Sequence, residues 1–154
     1  MQKITPFLWF DKEAREAAEF YVSVFKDAQI LNNSTLKDTP FGAVEVITLR
    51  LFGQKYQLMS AGPLFKFNEA ISFVVNCETQ EETDYYWEKL SAVPEAEACG
   101  WLKDKFGVSW QIVPKQLPEL LNDPDPAKAG RVMQAMLRMK KIDIAGLRQA
   151  YDAA

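Results

Sequence analysis

The chain has 154 residues, a net charge of −3, 48% apolar and 25% charged residues, no histidine and two cysteines. That length suits one compact unit with a core of its own. No Lys/Arg stripe is dense enough to follow a phosphate backbone, and no run of 18 apolar residues could span a bilayer, so neither nucleic acid nor membrane is an expected partner.

The N-terminal MQKITPFLWF lacks the layout of a signal peptide, so a cytoplasmic location is expected. Cys77 and Cys99 are too few for a four-ligand zinc set and read as reduced thiols. With histidine absent, the commonest general base and nitrogen ligand are both missing. Chemistry would have to rest on carboxylates, amides, Lys, Tyr or thiols.

Residues 4–25 read as a strand followed by a helix. Asp11 is placed to cap that helix, with Glu13 and Glu16 near its positive end. Ala14, Ala17, Ala18, Tyr21 and Phe25 fall on one stripe at helical spacing. Three strands follow, QILNNSTLK, GAVEVITLRLF and QKYQLMSA, broken at Thr39-Pro40-Phe41-Gly42 and at Gly53.

Residues 62–69 link this module to a second strand and helix over 70–90. Thr79-Gln80-Glu81-Glu82 is a capping box, and Thr83, Tyr86, Trp87 and Leu90 form the buried stripe. After Pro114 the period is helical. Asp125-Pro126 supplies an N-cap and a first-turn proline, Val132, Met133, Met136, Leu137 and Lys140 share a face, and Asp143 caps a last helix carrying Ile144, Leu147 and Tyr151.

The layout repeats. FGQKYQLM (52–59) aligns with FGVSWQIV (106–113) at an offset of 54, with Gln57 over Gln111. Phe7, Phe20, Tyr21 and Val24 align with Phe73, Tyr86, Trp87 and Leu90 at an offset of 66. The difference of 12 leaves the second copy one short strand and turn shorter. The fold class is therefore α+β, a single domain over 1–154. Module 1 covers about 3–62, module 2 about 69–114, and a helical extension 115–154.

Strand alternation predicts the faces. Tyr56 and Leu58, with Trp110 and Ile112, are expected under the helices, as are Phe7 and Trp9, with Phe73 and Val75. The opposite faces then carry Gln57, Met59 and Leu8 in one copy and Gln111, Ser72 and Val74 in the other. Two such faces curving together would enclose a cleft. In it each Gln would orient a ligand or, equally, bond across strands or to water.

PFLWF, AAEFYVSVF, SAGPLFKFNEAISFVV, CGWLKDKFGVSWQIVP and MLRMKKIDIAGLRQAY resemble the PhnB-like branch of the vicinal oxygen chelate superfamily. That branch carries the label 3-demethylubiquinone-9 3-methyltransferase, and its relatives include glyoxalase I, bleomycin-resistance proteins and extradiol dioxygenases. The resemblance implies paired βαβββ modules, a curved mixed sheet around a cleft, and a homodimer. It also implies metal-ligand positions at Ile4, Gln57, Ala70 and Gln111. Two of these are hydrocarbon and two are neutral amides, a poor set for a divalent transition metal. No glycine-rich strand-to-helix turn suits a nucleotide-type cofactor either.

The expected function is therefore metal-free and cofactor-free binding of a small molecule, with Leu8, Gln57, Met59, Ser72, Trp101 and Gln111 as candidate contacts. The alternative is a superfamily enzyme (lyase, isomerase, dioxygenase or the methyltransferase of the label) acting on a small oxygenated or aromatic substrate. Further candidates are Glu45 as a lone general base if it faces the cleft, Asp104-Lys105 as a charge or a polar turn, and Phe65 and Phe67 as flanking aromatics. Cys99 has no histidine to activate it as a nucleophile.

Overall fold

The computed structural model describes residues 1–153, as two compact units, 1–67 and 68–153. In the first, β1 (Phe7–Phe10) leads to α1 (Ala14–Val24), then β2 (Ala28–Thr39), β3 (Gly42–Leu51) and β4 (Gln54–Ser60). The sheet order is β1-β4-β3-β2, with β1 parallel to β4 and the other pairs antiparallel. This is a complete βαβββ module. Ala14, Ala17, Ala18, Tyr21 and Val24 of α1 are buried, and so are Ile47, Leu49 and Leu58 of the sheet.

The start of α1 departs from expectation. Its N-cap is Glu13, which makes no side-chain cap bond, and Asp11 lies outside the helix. The Ala14 N–H instead donates to Ser60 Oγ at 3.0 Å, so a hydroxyl at the end of β4 satisfies one of the orphan donors. That bond also puts Ser60, and with it Leu58 and Tyr56, on the helix side of the sheet.

The second unit contains β5 (Ser72–Cys77), α2 (Gln80–Leu90), a 3-10 turn at Pro94–Ala96, β6 (Trp101–Lys103) and β7 (Ser109–Pro114). The sheet order is β5-β7-β6, with β5 parallel to β7. The module is βαββ, one strand short of the first, as the offset difference requires. Thr79 caps α2 by accepting from the Glu82 N–H at 3.1 Å. The Glu82 carboxylate reaches back to the Glu78 N–H at 3.0 Å, one residue further than a standard capping box.

The helices α3 (Gln116–Leu121), α4 (Pro126–Leu137) and α5 (Ile144–Asp152) close around Leu117, Val132, Ile142 and Leu147. Asp125 and Asp143 cap α4 and α5 as expected. Met136 packs on this cluster, but Met133 and Leu137 are exposed, so the apolar stripe of α4 is wider than its buried face. The Cys99 and Gly100 N–H groups donate to the carbonyls of Met139 and Lys140 at 2.7 and 2.8 Å. Gly100 has φ +90°, and a Cβ there would stand 3.1 Å from Ile142 Cγ1, so the position requires glycine.

The repeated Phe-Gly makes two different turns. Phe52 and Gly53 both have positive φ, 48° and 80°, the signature of a two-residue type I′ hairpin. A bulky residue rarely sits there. Phe52 is held by its N–H to Asp27 O at 2.7 Å and by edge contact with Phe25, centroids 5.9 Å apart. In the second copy only Gly107 is left-handed, at 88°. There the Asp104 carboxylate, fully buried, accepts from the N–H groups of Phe106 and Val108 at 2.9 and 3.0 Å. Its other oxygen takes the Trp110 indole N–H at 2.8 Å. The polar-turn reading of Asp104 is the one the structure adopts.

Asp104→Ala leaves two buried donors and one half-buried donor unmatched and is expected to lower stability by roughly 2–4 kcal/mol. Denaturant unfolding reads the loss against Glu95→Ala, an exposed control expected within about 0.5 kcal/mol of the parent.

Candidate functional site

Register decides which side chains each sheet leaves on its helix-free face. In the first unit Phe7 pairs with Gln57, Leu8 with Leu58, Trp9 with Met59 and Phe10 with Ser60. Gln57 and Met59 lie on the helix-free face as expected, and Phe7 and Trp9 lie there with them. Leu8, expected as a ligand contact on that face, is instead only 7% exposed and shares the helix side with Leu58 and Phe10.

The cause is a slip of one residue. Phe7 and Val74 are the register partners of Gln57 and Gln111, so β1 and β5 correspond at an offset of 67 (74 − 7). The helices keep 66 (80 − 14), because the β5–α2 connection is one residue shorter than the β1–α1 connection. A shift of one moves every strand side chain to the other face.

On the first unit's helix-free face, Trp9 stands between Phe41 and Phe65, both edge-on with centroids 5.0 Å away. Its indole N–H donates to Gly62 O at 2.8 Å. Half-buried Gln57 donates to Thr48 Oγ1 at a long 3.4 Å. Among the described residues nothing donates to the Gln57 amide oxygen. Beyond the ends of the parallel strands lies an open groove of about 720 Å³ bordered by Asp11, Lys12, Phe41 and residues 60–64. Phe67 packs on Phe10, centroids 5.0 Å apart.

In the second unit Ser72, Trp101 and Gln111 do share the helix-free face. Ser72 pairs with Ser109, Val74 with Gln111, and Trp101 with Gln111 from the other side. The Gln111 amide N–H donates to Ser72 Oγ at 2.9 Å. Its amide oxygen, like that of Gln57, meets no donor among the described residues. Two features here escaped the sequence. Ser109 is 2% exposed and its hydroxyl has no hydrogen-bond partner. Lys103, paired in register with Ser109, makes an ion pair with Glu69. That contact holds the Glu69 carboxyl below its ordinary range.

The remaining candidates resolve by position. Glu45 lies on the helix side, bonded to Arg15 at 2.6 Å and to Asn33 at 2.8 Å. Those bonds, the Arg15 one first, lower its pKa, which makes it a committed anion and a poor base. Cys77 is buried beside α2, and desolvation pushes its thiol up to about 12.

The four superfamily ligand positions do not fit a metal. Ile4 is exposed hydrocarbon, Ala70 has no donor atom, and the two glutamines are uncharged. Among the described residues no group of three or more His, Cys, Asp or Glu is placed to hold an ion. The β1–α1 connection, Asp11-Lys12-Glu13, has no glycine and does not fit a nucleotide-type cofactor.

The sequence matches the 3-demethylubiquinone-9 3-methyltransferase family over residues 2–113. No curated protein matches it. Among solved structures it is similar to the PhnB protein from Bacillus cereus, at 34% identity over 73% of this chain and 99% of that one, with a TM-score of 0.61. A protein from Pseudomonas aeruginosa shares 19% identity over 74% and 98% of the two chains, TM-score 0.54. The fosfomycin resistance protein FosX from Listeria monocytogenes shares 16% over 79% and 98%, TM-score 0.54. The last two likenesses speak for the fold alone.

Two outcomes follow from the donor set and the thiols. A divalent transition cation added at millimolar concentration is expected to leave the melting temperature where magnesium leaves it, since a bound ion would raise it. In the native state at pH 8, Cys99 is expected to react with a thiol reagent well before Cys77, the order erased by denaturant. Mass mapping of the labelled cysteine reads this directly.

Proposed function

This chain belongs to the 3-demethylubiquinone-9 3-methyltransferase family, within the vicinal oxygen chelate superfamily, and from that premise we propose that it is a metal-free binder of a small, partly aromatic molecule. One observation carries the reading. Gln57 and Gln111 occupy the same position in the two copies, half-buried on the helix-free face, each with an amide oxygen that no donor meets among the described residues. An amide oxygen partly withdrawn from water calls for a donor. Phe7, Trp9 and Met59 around one, and Val74 and Trp101 around the other, offer apolar contact to a ring. A ligand bearing a hydroxyl on an aromatic ring satisfies both requirements.

The enzyme alternative draws on the family name and on the fold. It needs a proton acceptor or a cofactor contact beyond the residues assigned above. The homodimer implied by the resemblance belongs to the same proposal, and a native mass of two chains would support it.

Phenol followed by ligand-observed NMR tests the site. A phenol hydroxyl donates one hydrogen bond, to one amide oxygen, and such a bond contributes about 0.5–1.5 kcal/mol, so Gln57→Leu with Gln111→Leu is expected to weaken phenol roughly two- to tenfold. The fold should survive, as judged by the melting temperature. Unchanged affinity in a folded double variant would remove the glutamines from the site. A rise in melting temperature with S-adenosylmethionine would favour the methyltransferase reading instead.

A further inference from the structure

We infer that the helix-free face of the second sheet recognises the carboxylate of its ligand, and that the Lys103–Glu69 ion pair is the group the carboxylate replaces. This deepens the binding reading above and rests on it, adding an ionic requirement that the reading does not contain.

The argument begins with strand order. In β5-β7-β6 the middle strand is β7, Lys103 stands on β6, and Glu69 lies three residues before the start of β5. Their ion pair therefore ties β6 to the segment that leads into β5. Lys103 pairs with Ser109, and Ser109 pairs with Ser72 on its other side, so all three side chains point to the helix-free face at one level. The lysine at one end of this row already holds a carboxylate.

Ser109 supplies the independent sign. It is 2% exposed with no partner for its hydroxyl, an arrangement that costs stability and that native structures rarely keep without a use. Ser72 accepts from Gln111, which leaves its own O–H to donate. One lysine ammonium and two hydroxyl donors in a row match the two oxygens of a carboxylate and its single charge.

Glu69 is a weak competitor. Its side chain is 62% exposed, against 24% for Lys103, so releasing it to water costs little. Trp101 and the free oxygen of Gln111 lie one step along the same face, so an aromatic carboxylate meets apolar and polar contacts together.

Benzoate is the probe, with phenol as the neutral reference, each followed by ligand-observed NMR on the full chain and on three variants. Benzoate is expected to bind the parent. Lys103→Met should weaken it about tenfold or more while phenol is unaffected. Glu69→Gln, which removes the competing carboxylate, should tighten it roughly two- to fivefold.

Ser109→Ala should weaken benzoate about threefold or more while the melting temperature holds or rises, because the orphan hydroxyl is gone. A purely structural serine would not separate those two readouts. The inference is overturned if phenol binds and benzoate does not, if Lys103→Met leaves benzoate unchanged, or if Glu69→Gln weakens it. Loss of both probes on the parent would overturn the inference and the binding reading together.

Discussion

The parallel pairing of β1 with β4, and of β5 with β7, is the constraint on which the rest of each unit depends. Parallel strands cannot be joined by a tight turn, so the chain must cross over before it returns. Each copy uses its helix for that crossing, and the helix then shields one face of the sheet. Alternation of strand side chains does the remainder. Once Leu58 and Ile112 are under the helices, Gln57 and Gln111 must lie on the faces the helices leave uncovered.

Features that obey local rules were legible in the sequence. The caps at Thr79, Asp125 and Asp143, the strand breaks and the shortened second copy all follow from residue type and spacing. The face of β1 was not. FLWF is apolar on both faces, so it carries no alternation to read, and the only guide was alignment to the second copy. The helices align at an offset of 66 and the strands at 67, because the β5–α2 connection is one residue shorter, so helix spacing does not carry over to the strand. Leu8 changed sides as a result. Ser72 and Gln111 share a face, as alternation within SFVVNC and within SWQIVP predicts, since each strand can be read without reference to a helix.

What the sequence could not show were relations across strands. Lys103, Ser109 and Ser72 form a row only when β6, β7 and β5 are set in register, and nothing local to any of the three announces it. Asp104 is a related case. A carboxylate two residues before Phe106 reads as surface turn chemistry, and only burial of Trp110 turns it into an interior group with three donors. The repeated Phe-Gly is therefore a repeat of position without a repeat of mechanism. One copy places a strained Phe52 against Phe25, and the other relies on a buried carboxylate.

The two crossing helices also differ in where their start is encoded. α2 is capped by Thr79 from within its own segment, so its first turn has what it needs once those few residues are made. α1 is capped by Ser60, a residue 46 positions further along the chain. Helix nucleation is costly, and a start that depends on a distant contact adds the entropy of closing that loop. Of the two crossing helices, the one that comes earlier in the chain is thus the one whose leading amide finds its protein partner only when β4 is laid against β1. The copy that comes second in the chain is the better equipped to order itself first.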